Sequence, residues 1–153
     1  NNISLIRESS YQVIWQTGKF YYKNILSKNI KDKKIIIKDF INRMDLAYSV
    51  SDIIISRAGA IAISELCVIS KPLILVPSPN VADDHQTKNA KAISEKGGCV
   101  LIKDSDAKNT MLKTAFDLFE NKSKMDSMKK SLSKLSSPNA TQKIVNKIYE
   151  IIW

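Results

Sequence analysis

The chain has 153 residues, 44% of them hydrophobic and 25% charged, a length and balance that suit one soluble globular domain with its own core. No apolar run approaches the ~20 residues that span a bilayer, and no signal peptide opens a sequence that begins Asn1-Asn2-Ile3 without an initiator Met, as a piece of a longer protein would. The formal net charge of +9 comes from 24 Lys+Arg against 15 Asp+Glu; Arg, the preferred reader of bases and phosphates, occurs only as Arg7, Arg43 and Arg57, which argues against a nucleic-acid partner and leaves an anionic lipid surface or plain solubility.

In chain order, residues 1–10 are polar with Ile3 and Ile6 spaced as on an amphipathic helix. Tyr11 to Trp15 is strand-like and ends at the turn Gln16-Thr17-Gly18-Lys19. A helix is expected over Phe20–Lys28 with Tyr21, Ile25 and Leu26 on one face, then a buried strand at Ile35-Ile36-Ile37. After the loop 39–44, Asp45 is expected to cap a short helix through Val50. Ile53 to Ser56 reads as a short buried strand and Ala60 to Ser70 as a helix carrying Ile61, Ile63, Leu66 and Ile69.

Lys71-Pro72 breaks that helix before a strand at Leu73–Val76, closed by Pro77. A polar loop, 78–86, leads into a helix over His85–Lys96 that Gly97-Gly98 terminate. A last strand is expected at Cys99–Ile102, and helices at Asp106–Glu120, Lys122–Leu135 and from Ala140 to Trp153. Strands alternating with helices at this spacing make an α/β chain with a mostly parallel sheet. In such sheets ligands gather at the carboxyl ends of the strands, where the loops after Ile37, Ile55 and Val76 should meet.

The stretch Ser56-Arg57-Ala58-Gly59-Ala60-Ile61-Ala62-Ile63-Ser64-Glu65 puts small residues where strand becomes helix. A ligand could approach the backbone there, and the free N–H groups of a helix N-terminus favour an anion such as a diphosphate. Glu65, one turn on, has the reach to accept hydrogen bonds from sugar hydroxyls; tight packing would give the same pattern of small residues. Arg57 suits an ion pair as well as a phosphate. His85 is the single histidine, and Asp83-Asp84 read as N-terminal capping acids, not as a metal pair. Cys67 and Cys99 lack metal-ligand spacing and read as small core residues, and Trp15 and Trp153 as packing residues.

Taken together, Val13-Ile14-Trp15-Gln16-Thr17-Gly18-Lys19, Phe40-Ile41 with Met44, the Ser56–Glu65 stretch, Pro72 with Leu75-Val76-Pro77, and Asp84-His85-Gln86-Thr87-Lys88-Asn89-Ala90 resemble one family. It is the bacterial glycosyltransferase family that adds N-acetylglucosamine from UDP-GlcNAc to lipid I, of the two-domain GT-B class. The resemblance implies a Rossmann-like parallel sheet with helices on both faces, forming a single donor-binding domain over 1–153. It also implies that the first strand, its Gly-rich loop and an N-terminal acceptor domain lie upstream of Asn1, so that no catalytic residue falls within this chain. In the strand order 3-2-1-4-5-6 the first strand is central, and without it the remaining strands should form two groups.

By position, the resemblance assigns the uracil edge to the backbone of Ile41, with Phe40 and Met44 as apolar neighbours. It assigns the diphosphate and sugar to Ala60, Ile61, Ala62, Ile63 and Ser64, with Gly59 and Arg57 beside them. Glu65 would grip the ribose, Gln86 would read GlcNAc hydroxyls, and His85 and Asn89 would flank it. No cofactor and no metal are implied. The partners are the UDP-GlcNAc donor, a lipid-linked acceptor held by the other domain, and an anionic membrane surface on the cytoplasmic face. A related transferase with another lipid acceptor, or a nucleotide-sugar-binding module without its own activity, would fit the same residues.

Overall fold

The structure, a computed structural model, describes residues 2–152 and divides into two compact units, Asn1–Ser51 and Asp52–Trp153. It is an α/β chain in which all strand pairs are parallel, as the alternation of β-branched runs and helical stretches predicts.

The first unit runs α1 (Ile3–Glu8), β1 (Val13–Gln16), α2 (Lys19–Ser27), β2 (Ile35–Lys38) and α3 (Met44–Val50). β1 pairs with β2 in the register Val13↔Ile35 to Gln16↔Lys38. Ile6 and Ile35 are its buried side chains, and Arg7 and Lys34 tie α1 to the entry of β2 through Asp32 and the Arg7 carbonyl. In a two-stranded sheet both strands are edges, which is why the expected buried strand at Ile35–Ile37 buries Ile35 alone. Trp15, expected to pack internally, is 37% exposed for the same reason. α2 turns Tyr22 and Ile25 inward and leaves Tyr21 and Leu26 exposed, one position away from the expected face. α3 begins at Met44, not after Asp45; Arg43 is its N-cap residue, and Asp45 sits in the first turn, paired with Arg43 at 2.6 Å.

The second unit runs β3 (Ile54–Ser56), α4 (Ala60–Ile69), β4 (Leu73–Leu75), a 3-10 turn (Ala82–Asp84), α5 (His85–Ser94), β5 (Val100–Leu101), α6 (Asp104–Glu120), α7 (Lys122–Leu135) and α8 (Ala140–Ile152). Its sheet has the order β3-β4-β5. β4 is central, and Leu73, Ile74 and Leu75 are at most 1% exposed; each such side chain contributes ~1.5–3 kcal/mol by leaving water. Ile74 and Val76 pack with Ile102 against Leu118 of α6 and Met125 and Met128 of α7. β3, at an edge, leaves Ile55 37% exposed, so it is less buried than its apolar run suggests.

The strands thus fall into two sheets, β1-β2 in the first unit and β3-β4-β5 in the second, the two groups expected from the resemblance. Boundaries shift slightly from expectation: β4 stops at Leu75, β5 is shorter at both ends, α5 ends at Ser94 and α6 starts two residues early at Asp104. Ser70 closes α4 in the left-handed conformation, φ 53°. Gly97 ends the turn after α5 at φ +71°, and a Cβ on Gly98 would come within 2.9 Å of the Ile93 side chain, so the glycine pair does both jobs of a helix terminus. Cys67 and Cys99 are buried, as expected. α8 holds no buried residue, and Ile144, Ile148, Ile151 and Ile152 are exposed along it. Among the described residues no helix is long and apolar enough to cross a membrane. Trp153 lies outside the described residues.

Candidate functional site

The predicted residues divide between the two units. Phe40, Ile41 and Met44 belong to the first unit, and Arg57, Gly59, Ala60–Glu65, His85, Gln86 and Asn89 to the second.

In the second unit the site is built at the carboxyl end of β3. The chain leaves the strand through Ser56-Arg57-Ala58 and enters α4 at the N-cap Gly59, whose backbone is extended at φ −66° and ψ 145°. Any residue adopts that conformation, and a Cβ at Gly59 would meet nothing within 4 Å. Neither strain nor packing within this chain requires a glycine here. No side chain caps the helix, and its first internal bond is the Ile63 N–H donating to the Gly59 carbonyl at 2.9 Å. The N–H groups of Ala60, Ile61 and Ala62 therefore have no partner inside the helix, which leaves the positive end of its dipole open beside bare backbone. Ile61 is 79% exposed in this first turn, whereas Leu66 and Cys67 are buried, so the core face of α4 runs through those two and not through Ile61. The Ser64 hydroxyl donates to the Ala60 carbonyl at 3.0 Å, inside its own helix. Glu65 is exposed on the next turn.

The junction is held from α5. Ala58 is fully buried, and its peptide groups are gripped on both sides. The Ala58 N–H donates to Gln86 Oε1 at 3.2 Å, and Asn89 Nδ2 donates to the Ala58 carbonyl at 3.2 Å. The Ser78 N–H also donates to Gln86 Oε1, at 2.8 Å. One amide oxygen thereby joins the β3–α4 junction to the loop after β4, and the spacing of Gln86 and Asn89, one helical turn, is what lets both reach a single peptide. An amide can offer a hydroxyl-bearing sugar both an acceptor and a donor. The Gln86 acceptor is already used, and Nε2 alone has no partner among the described residues.

α5 starts under backbone tension. Asp83 and Asp84 are both left-handed, at φ 50° and 53°, a conformation that costs a non-glycine residue about 1 kcal/mol. Asp84 is the N-cap residue of α5 by position but its side chain makes no capping bond, which corrects the capping role expected of this acid pair. His85 follows, exposed, with Nε2 3.9 Å from Asp83 Oδ2. No group of three His, Cys, Asp or Glu side chains among the described residues could hold a metal ion. Burial pushes the thiol of Cys67 up, and that of Cys99 up to about 12, which keeps both protonated and poor nucleophiles.

Arg57 is an ion-pair residue. Its Nη1 donates to the Val76 carbonyl at 3.1 Å and to Asp104. Asp104 is 47 residues away in sequence, and the one sign of its role there is its place just after the last strand, at the same sheet end.

In the first unit, Phe40 and Ile41 line an open cavity of about 380 Å³ with Ile14, Ile36, Leu46 and Val50. Met44 lies beside it in sequence but does not line it. The Ile41 N–H, assigned to a uracil edge, donates to Gln16 Oε1 at 2.8 Å. A base would have to displace that amide or use the Ile41 carbonyl. A second cavity of about 220 Å³, between Val100, Asp117 and Lys124, holds none of the predicted residues.

The family described as Glycosyltransferase family 28 C-terminal domain matches residues 2–144. A protein of Cytophaga hutchinsonii, named UDP-N-acetylglucosamine--N-acetylmuramyl-(pentapeptide) pyrophosphoryl-undecaprenol N-acetylglucosamine transferase, is 46% identical over 151 residues, 99% of this chain and 40% of its own length. The protein of that name from Parabacteroides distasonis is 45% identical over 147 residues, 94% of this chain and 40% of its own. The crystal structure of Acinetobacter baumannii MurG superposes with a TM-score of 0.80 at 28% identity, covering 97% of this chain and 44% of that one. The chain spans about 40% of the length of the curated relatives it matches.

Proposed function

The chain belongs to the glycosyltransferase family 28 C-terminal domains, and from that premise we propose that it is a donor-binding domain, holding UDP-GlcNAc for transfer of GlcNAc to lipid I to form lipid II in peptidoglycan synthesis. The observation that carries this reading is the β3–α4 junction: N–H groups at Ala60, Ile61 and Ala62 that have no partner among the described residues, behind a glycine that neither strain nor packing there demands. Such a junction accepts a diphosphate, because oriented N–H dipoles supply positive potential without a side chain in the way.

Around it, Glu65 takes the ribose hydroxyls, Gln86 turns its free Nε2 to the sugar, and Asn89 with His85 supports that end of α5. For the first unit, described by itself, the resemblance assigns a uracil edge to the backbone of Ile41, with Phe40 and Met44 as apolar neighbours. The acceptor is lipid-linked and is met by the part of the enzyme outside this chain. Work at a lipid acceptor puts the enzyme on the inner face of the cell membrane, in the pathway that sets cell shape and division. The +9 charge adds a weak, salt-sensitive attraction to anionic lipid. No metal is required, since N–H groups and an arginine carry the phosphate charge.

Calorimetry with UDP and UDP-GlcNAc on the protein expressed from its full reading frame, followed by transfer of labelled GlcNAc to lipid I in vesicles, tests the reading. Binding of UDP-GlcNAc with transfer to lipid I is the expected result. A protein that binds neither nucleotide is not a donor domain.

A further inference from the structure

Arg57 is fastened by one corner. Its Nη1 donates to the carbonyls of Val76, at 3.1 Å, and Pro77, at 3.4 Å, and pairs with Asp104 Oδ1. Val76 and Pro77 leave β4, Asp104 opens α6 just past β5, and Arg57 itself leaves β3. From the exit of β3, a single guanidinium nitrogen therefore reaches the exits of the other two strands of this sheet, β4 and β5. Nε and Nη2 have no partner among the described residues, and the side chain is 55% exposed.

A guanidinium is planar, so fixing Nη1 on several acceptors fixes the direction in which the Nε–Nη2 edge points. That edge is the fork that pairs with phosphate oxygens in two parallel hydrogen bonds. It lies two residues before Gly59 and the open N–H groups of α4. We propose that Asp104 is a positioning residue: it holds Arg57 so that its unused Nε–Nη2 edge faces the diphosphate of a nucleotide sugar bound at the start of α4. The inference rests on the donor-binding reading given above.

Charge and position pull in opposite directions, which makes the claim decidable. Asp104 is an anion near an anion site, so deleting its charge tightens phosphate binding if Coulomb repulsion dominates. If positioning dominates, the same deletion weakens it, because the guanidinium is set free to rotate. Asp104→Asn, Asp104→Glu, Arg57→Lys and Arg57→Gln, with the double variant Asp104→Asn/Arg57→Gln, would be titrated with UDP and with uridine by calorimetry, on protein expressed from its full reading frame.

The expected result is a Kd for UDP raised about tenfold in Asp104→Asn, the scale of one lost charge-assisted contact, with uridine binding and the thermal midpoint unchanged. Asp104→Glu should recover part of the loss, and Arg57→Lys, which keeps the charge but not the fork, should not. The double variant should bind UDP no worse than Arg57→Gln alone, since one residue acts through the other. Equal or tighter UDP binding by Asp104→Asn, equal losses for uridine and UDP, or additive losses in the double variant would each overturn the role of Asp104 while leaving the donor-binding reading intact. If the unaltered protein binds no UDP, that reading fails and the inference fails with it.

Discussion

Gln86 is locked to Ala58 through its side-chain oxygen, which accepts the Ala58 N–H at 3.2 Å and, from the other side, the Ser78 N–H at 2.8 Å. The amide is thereby oriented, and its NH2 group is presented as a pure donor. Gln86→Glu keeps the acceptor and removes the donor. It should leave the thermal midpoint close to that of the unaltered protein while reducing the kcat/KM preference for GlcNAc over GalNAc donors. Gln86→Ala removes both and strands two backbone N–H groups, a cost of about 1–3 kcal/mol each if buried. A lower midpoint in the alanine variant alone, measured by thermal melting, separates the clamp from the reader. An unchanged sugar preference in Gln86→Glu would end the reading role.

Glu65 is expected to recognise ribose. Glu65→Ala should lower UDP affinity by about 1–3 kcal/mol, the scale of a lost polar contact, and should abolish any preference for UDP over 2′-deoxy-UDP. Calorimetry with the two nucleotides checks this, and a preference that survives the substitution would assign ribose recognition elsewhere.

Asp84 opens α5 at φ 53° with no capping bond. Replacing it with glycine removes the Cβ that makes this conformation costly. Asp84→Gly should stabilise the domain by about 0.5–1 kcal/mol, net of the greater freedom glycine has when unfolded. Asp84→Val should destabilise it by more than that. Urea midpoints of the three proteins decide the matter.

Cys99 bears on alkaline stability. Its thiol is pushed up to about 12 by burial, above the ~8.5 of an unfolded chain. A folded-state value raised above the unfolded one supplies stability that is full below about pH 8.5 and is lost as pH rises toward 12. Cys99→Ala should therefore flatten the decline of the urea midpoint between pH 8 and 10.5 relative to the unaltered protein. A thiol reagent at pH 8 should label Cys67 and Cys99 only after denaturation.

The elements were legible in sequence because β-branched runs such as Ile35–Ile37 and breaks such as Lys71-Pro72 and Gly97-Gly98 act locally. The grouping of the strands into two sheets matches the two groups that the resemblance leads one to expect. Facts that depend on partners distant in sequence were not legible. The Gln86 amide shows both its groups in sequence, but only the fold reveals that Ala58 and Ser78 consume its oxygen. Asp104 looks like an ordinary acid in the loop between the last strand and the helix expected from Asp106, until Arg57 reaches it. Trp15 and Ile61 are apolar letters that periodicity places inside, and the structure leaves both exposed, because burial depends on what covers a face and not on the face alone. Asp45 and Asp84 carry the right chemistry for capping but take backbone angles or positions that prevent it.

The last helix buries none of its 13 residues fully, so it depends largely on hydrogen bonds within itself, the side-chain pairs Gln142–Asn146 and Lys147–Glu150 included. A helix of that length is marginal in isolation, and amide deuterium uptake should reflect it. Protection should be strong in α7, where Met125, Met128 and Leu132 are buried, and fall sharply beyond Ser137. A protease added at low dose should nick the chain after that point first and leave the core of the second unit standing.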